Sequence, residues 1–258
     1  MIPWDEIEAV FLDAGNTLVS IDFDRVSGEL AALGLACAPM AVRRAEAAAR
    51  PAVSRFVAER STEGADTFHF YLRSILRGLE PIAMAGAPAL EEATSHLAAR
   101  LRFPGESHRL WRFVLPGVPE ALGDLRDMGL RLLVVSNSDG SIERGLAELG
   151  LLSYFSAVVD SAVVGFEKPD PRIFEHALER AGVPGRRALH VGDLYHADVA
   201  GARAAGVNAL LLDPFGDWGD VDCERARDLS ELARRMRAAR GPSSPRANGR
   251  SGRAPRGA

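Results

Sequence analysis

The stretch Val10-Phe11-Leu12-Asp13-Ala14-Gly15-Asn16-Thr17-Leu18 decides how this chain is read. Ala9 to Leu12 is a short, continuous apolar run, the pattern of a strand buried on both faces of a parallel sheet. Asp13 follows at once, and Gly15 and Asn16 supply a turn. A carboxylate in that place points out of the sheet end, where it can serve as a nucleophile or a metal ligand. An Asp that merely opens a turn has the same local appearance, so the rest of the chain must choose.

Further apolar runs of strand length occur at Leu132 to Val135, Ala157 to Val159, Ala188 to Val191 and Ala209 to Leu212, with helical patterns between them. Pro119 to Met128 sets Ala121, Leu122, Leu125 and Met128 on one helical face, and Gly129 follows as a stop. Repeated strand–helix alternation predicts right-handed crossovers and an α/β fold with a doubly wound parallel sheet.

The segment from Ser20 to Trp111 differs, being rich in Ala, Arg, Glu and Leu with few strand-like runs. It predicts helices near Asp24 to Leu33, Ala41 to Glu59, Asp66 to Leu79 and Pro88 to Leu101, with Pro51 kinking or dividing the second. The expected organisation is a core from 1–19 and 115–240, an inserted all-helical cap over 20–114, and a tail at 241–258. Inserted after the first strand, the cap would cover the sheet edge where open α/β folds bind ligands. Phe68, Phe70 and Tyr71 read as cap packing.

The tail, GPSSPRANGRSGRAPRGA, holds Arg246, Arg250, Arg253 and Arg256 and no acid, so the preceding residues carry −8 (27 basic against 35 acidic) of the chain's −4. Its composition predicts disorder, and its low charge density does not mark a nucleic-acid arm. Cys37 and Cys223 show no metal-site spacing, and no run approaches the ~18 apolar residues of a membrane span. A cytoplasmic protein, monomer or homodimer, with neither nucleic acid nor membrane as partner, is expected.

Three more clusters follow strands. Ser136-Asn137 offers a hydroxyl and an amide that can donate to phosphoryl oxygens without adding charge, and Ser138-Asp139-Gly140 reads as a helix start. Gly165-Phe166-Glu167-Lys168-Pro169-Asp170-Pro171 contains the only lysine among 31 basic residues. In so arginine-biased a chain, a retained lysine points to a role for a compact ammonium, here beside an anion that would otherwise repel the substrate. His190-Val191-Gly192-Asp193-Leu194-Tyr195-His196-Ala197-Asp198 brings two carboxylates suited to hard oxygen coordination of Mg²⁺.

Asp13 to Leu18, Ser136-Asn137, Lys168-Pro169 and Gly192-Asp193 with Asp198, in this order, resemble the four motifs of haloacid dehalogenase-like hydrolases, over about residues 7 to 215. The place of the insertion resembles the subfamily whose helical cap lies between the first two motifs. The resemblance implies a Mg²⁺-dependent phosphohydrolase acting on a small phosphorylated metabolite through an aspartyl-phosphate. Asp13 would be the nucleophile, and Asp13, the Gly15 carbonyl and Asp193 would hold the metal. Ser136 and Asn137 would bind phosphate, and Lys168 would neutralise it and orient Asp13. Thr17 would support the site, and Asp198 would complete the metal's surroundings or hold Lys168.

Phosphatases of this family usually carry a second Asp two residues after the nucleophile, where this chain has Gly15. That group protonates the leaving oxygen, work typically worth ~10² to 10⁴ in rate, so slow turnover, a long-lived phospho-aspartate or a substrate with a good leaving group is expected. His196, Asp22, Asp24 and His69 are the substitute acids considered. A weakly active or noncatalytic phosphate-binding member is the alternative, and a haloacid dehalogenase a further one. Schiff-base chemistry of the phosphonoacetaldehyde hydrolase kind is disfavoured, because the cap contains no lysine.

Overall fold

The computed structural model describes residues 1–60 and 65–241, so the tail beyond 241 lies outside the described residues. The chain opens with β1 (Ala9–Leu12) and β2 (Val19–Ile21), then α1 (Phe23–Ala32), α2 (Pro39–Arg60), α3 (Ala65–Arg77), α4 (Glu80–Ala85) and α5 (Ala87–Leu101). It continues with β3 (Trp111–Val114), α6 (Val118–Asp127), β4 (Arg131–Ser136), α7 (Ile142–Glu148), β5 (Ala157–Asp160), α8 (Ser161–Val164) and α9 (Pro171–Ala181). Then come β6 (Ala188–Gly192), a π-type turn over Tyr195–Ala200, α10 (Gly201–Ala204), β7 (Asn208–Leu212), β8 (Glu224–Ala226) and α11 (Leu229–Arg240).

Six strands form one parallel sheet in the order β5-β4-β1-β6-β7-β8. Alternate residues of each strand feed opposite cores, which is why the strands read as unbroken apolar runs. Val10, Leu12, Leu132, Val134 and Leu189 pack under α6 and α11 with Leu122, Leu125, Leu232 and Met236. Ala9, Phe11, Leu133, Val135 and Leu211 pack under α9 and α10 with Ile173, Phe174, Ala177 and Ala202. Each fully buried Leu or Phe here contributes about 1.5–3 kcal/mol relative to its exposed state.

The chain runs from β1 to β4 and β5 on one side and returns to β6, β7 and β8 on the other. The carboxyl ends of β4, β1 and β6 therefore meet at the reversal point, the place where such sheets bind ligands.

Helices α1 to α5 build a separate apolar core around Leu30, Val53, Leu72, Ile75 and Leu97. Pro51 sits inside α2 without dividing it. Two features were not expected: β2 and β3 pair as an antiparallel ribbon at the base of the insertion, and β8 extends the sheet. The ribbon escapes pattern reading because its strands are very short and lie about 90 residues apart. Cys37 and Cys223 are both free, and among the described residues no helix is long and apolar enough to cross a membrane.

Candidate active site

Asp13, Ser136, Lys168, Asp193 and Asp198 all line one cavity of about 500 Å³ at the carboxyl edge of the sheet. Each follows from local structure. Asp13 is the first residue past β1, with its amide donating to the Val191 carbonyl of the neighbouring strand at 2.9 Å. Ser136 ends β4, and Asp193 is the first residue past β6.

The Lys168 ammonium is buried and donates to Asp13 Oδ1 at 2.6 Å and to Asp198 Oδ1 at 2.7 Å. Burial alone would lower its pKa, but the two carboxylates outweigh this and raise it, so the lysine is a fixed cation. Burial would likewise raise Asp198, yet Lys168 and His190 hold it well below the usual carboxylate range. Asp198 also accepts from the Leu194 amide at 2.9 Å and contacts His190 Nε2 at 2.9 Å. These contacts hold the Lys168 ammonium against Asp198. A methyl group on Gly192 would overlap the Asp198 carboxyl, so the glycine before Asp193 is what admits this side chain.

Asp13 and Asp193 are different. Burial raises both pKa values, against the pull of Lys168 on Asp13 and of Arg50 on Asp193. Asp193 Oδ2 faces Arg50 Nε at 3.3 Å and accepts from Asn16 Nδ2 at 3.2 Å. Asn16 takes a left-handed backbone, φ 53°, a conformation that Asn tolerates better than most residues, and its side-chain Oδ1 accepts from Ser20 Oγ at 2.6 Å.

Asn137 lines the same cavity, and its side chain accepts from the Lys168 amide at 2.7 Å and donates to the Lys168 carbonyl at 2.9 Å, so it positions the lysine segment. Thr17 is buried, its hydroxyl has no partner among the described residues, and it borders a second cavity rather than the one holding Asp13. The Ser138-Asp139-Gly140 segment also precedes its helix, which starts at Ile142.

None of the four substitute acids lines the main cavity. Asp22 caps α1 through the Arg25 amide, Asp24 is exposed in its first turn, and the His196 amide bonds Ser54 Oγ. His69 is half-buried on α3. Gly15 lies against Trp111: a Cβ there would stand 3.2 Å from Cζ3 and 3.4 Å from Cη2 of the ring. Trp111 stacks on Tyr71, with centroids 6.0 Å apart. Phe68, Phe70 and Tyr71 all pack in the cap core as expected, and Phe68 and Tyr71 also line the cavity.

Arg50 escaped the sequence reading. It is buried in the middle of α2, held by Glu46 one turn earlier at 2.7 Å, and reaches Asp193 from the cap. The i,i+4 spacing of Glu46 and Arg50 was visible, but many exposed helices carry such pairs. Further contacts close the cap on the core, among them Arg44 to Asp217 at 2.7 and 2.8 Å, the His196 amide to Ser54, Ser107 Oγ to Asp139 at 2.9 Å and Arg112 to Glu148 at 3.0 Å.

This fold and site define a doubly wound α/β protein with a carboxylate–ammonium–carboxylate centre under a helical lid. The chain belongs to the haloacid dehalogenase-like hydrolases, whose family model matches residues 7–206. A relative from Mus musculus, haloacid dehalogenase-like hydrolase domain-containing protein 3, is 41% identical over 134 residues, 52% of this chain and 53% of the relative. The chain thus spans about half the length of the first curated relatives it matches. Phosphoserine phosphatase of Thermus thermophilus is 34% identical over 175 residues, 66% of this chain and 67% of that one. A solved HAD phosphatase from Thermococcus onnurineus superposes with a TM-score of 0.54 at 25% identity, over 89% of this chain and 98% of that one.

Proposed function

We propose that this protein is a Mg²⁺-dependent phosphomonoesterase working through an aspartyl-phosphate on Asp13. The observation that carries the reading is the Lys168 ammonium bonded to both Asp13 and Asp198 at the sheet edge, beside Asp193. The phosphatases among the relatives support it.

The donor set suits magnesium. Asp13 Oδ2 and Asp193 Oδ1 carry no hydrogen bond among the described residues, and burial raises both carboxyls, a cost that a cation would relieve. Among the described residues no three His, Cys, Asp or Glu side chains gather as a metal cluster. A cation would therefore rest on these two carboxylates, the Gly15 carbonyl and water, as Mg²⁺ commonly does. Bound there, it would neutralise phosphoryl oxygens.

The protein's own groups do the rest. Asp13 Oδ attacks phosphorus as the P–O bond to the ester oxygen breaks and that oxygen leaves, and Lys168 favours the ionised carboxylate, aims it and screens it from the dianion it meets. Asp198 fixes the lysine, Asn137 fixes its backbone, and the Ser136 hydroxyl donates to a phosphoryl oxygen. Water then attacks the phosphorus of the acyl phosphate and restores the carboxylate. A small phosphorylated metabolite as partner and a cytoplasmic setting complete the reading.

Purified protein assayed with Mg²⁺ on acetyl phosphate tests it. Turnover should require Mg²⁺ and vanish in Asp13→Asn; activity persisting in that variant would end the proposal.

A further inference from the structure

Accepting the phosphatase reading, we infer that the substrate is a small aryl phosphomonoester: a phosphate carried on a phenol-like oxygen, with its ring held by the Phe68–Tyr71–Trp111 wall. Two independent features of the cavity lead there.

The first is the leaving-group side. Trp111 covers Gly15 so closely that a Cβ there would stand 3.2 Å from the ring, and any side chain at this position requires the ring to give by a few tenths of an ångström. Of the other acids lining the cavity, Asp13 and Asp198 bind Lys168, Asp193 faces Arg50 and Asn16, and Asp139 accepts from Ser107 and Ser141. Glu167 and His108 remain as rival proton donors. Without a donor, the P–O bond breaks with both electrons leaving on the ester oxygen, and the basicity of that oxygen sets the rate. A phenol has a pKa of about 10. An alkyl alcohol lies nearer the ~16 of water. Aryl esters are therefore the esters such a site can cleave: Asp13 Oδ bonds to phosphorus, aryloxide departs and takes its proton from water, and water later releases inorganic phosphate.

The second is shape. The cavity, about 500 Å³, falls within the ~300–1,000 Å³ of pockets that enclose drug-sized ligands, far more than a three-carbon ester fills. Its cap side presents Phe68, Tyr71 and Trp111, the last two stacked at 25° between ring planes. Such faces favour another flat ring.

The test is a comparison with Mg²⁺ of three phosphate esters and one acyl phosphate: phenyl phosphate (ring, weakly basic leaving oxygen), a nucleoside 5′-monophosphate (ring, alkoxide leaving group), glycerol phosphate (neither) and, as the acyl phosphate, acetyl phosphate (no ring, good leaving group). Phenyl phosphate should exceed both alkyl esters in kcat/KM by at least about 10², the low end of what a missing general acid costs. Across substituted phenyl phosphates, kcat should fall steeply as phenol pKa rises. Phe68→Ala should lower the ratio of phenyl to acetyl phosphate kcat/KM by about three- to tenfold, whereas a purely structural defect would lower both alike. A flat leaving-group series, as with Glu167 or His108 acting as acid, an alkyl ester matching phenyl phosphate, or an unmoved ratio in Phe68→Ala overturns the inference and leaves the phosphatase reading standing. No Mg²⁺-dependent turnover of any ester would overturn both.

Discussion

Arg50 Nε, on the cap, lies 3.3 Å from Asp193 Oδ2, on the core, and both side chains are almost wholly buried. The guanidinium thus occupies one oxygen of the carboxylate proposed to hold Mg²⁺, and raises the cost of placing a second cation nearby. Arg50→Ala should tighten Mg²⁺ binding, read by calorimetry, while the metal-free protein loses about 3–5 kcal/mol from a broken buried ion pair, read by urea unfolding. Weaker Mg²⁺ binding in the variant would show that Arg50 supports the cation site.

Lys168 joins Asp13 and Asp198, and its removal strands two buried carboxylates. Lys168→Met should cost about 3–5 kcal/mol in urea unfolding as well as activity. Lys168→Arg should not restore turnover, because a planar guanidinium does not fit the place of a compact ammonium. A loss below ~1 kcal/mol, the size of an exposed pair, would mean that the triad does not hold the fold.

Gly15→Asp should give no gain in turnover by itself, because the Trp111 ring stands 3.2 Å from the new Cβ. The misfit should cost about 1–3 kcal/mol of stability. Combined with Trp111→Ala, the carboxylate gains room, and turnover of glycerol phosphate should rise by about 10² over Trp111→Ala alone. An equal gain in the single variant would show that the ring does not guard this position.

His190 is buried against Phe174, its Nε2 at Asp198 and its Nδ1 without a partner among the described residues. Burial lowers its pKa, helped by Lys168 and opposed by Asp198 and Asp13. The folded protein therefore takes up this proton at lower pH than the unfolded chain, whose histidine titrates near about 6.5. Stability held by the neutral ring is complete above that pH and is lost as pH falls toward the folded value, by at most ~1.4 kcal/mol per pH unit. Thermal unfolding from about pH 7.5 to 5.5 should show the decline, and His190→Gln should flatten it. An unchanged slope would assign the pH dependence to other groups.

Much of this was legible in the chain itself. β1, β4, β5, β6 and β7 read correctly because strands packed within a parallel sheet are mostly apolar, with His190 the one polar residue inside the β6 run. Asp13, Ser136, Lys168, Asp193 and Asp198 stood out because each lies at or just beyond such a run, or is the lone lysine in an arginine-rich chain.

The sequence by itself determined the alternation that winds a parallel sheet and the order in which chemically able side chains leave it. Those properties are local, written in the burial period of single elements. Only the tertiary structure decided that Asn137 serves Lys168, that Arg50 answers Asp193 from the cap, and that Trp111 fills the space beside Gly15. Such pairings join residues from about 30 to 140 positions apart, and side-chain partners at that range are set by how the core loops meet and how the cap packs on the core, which no local pattern encodes.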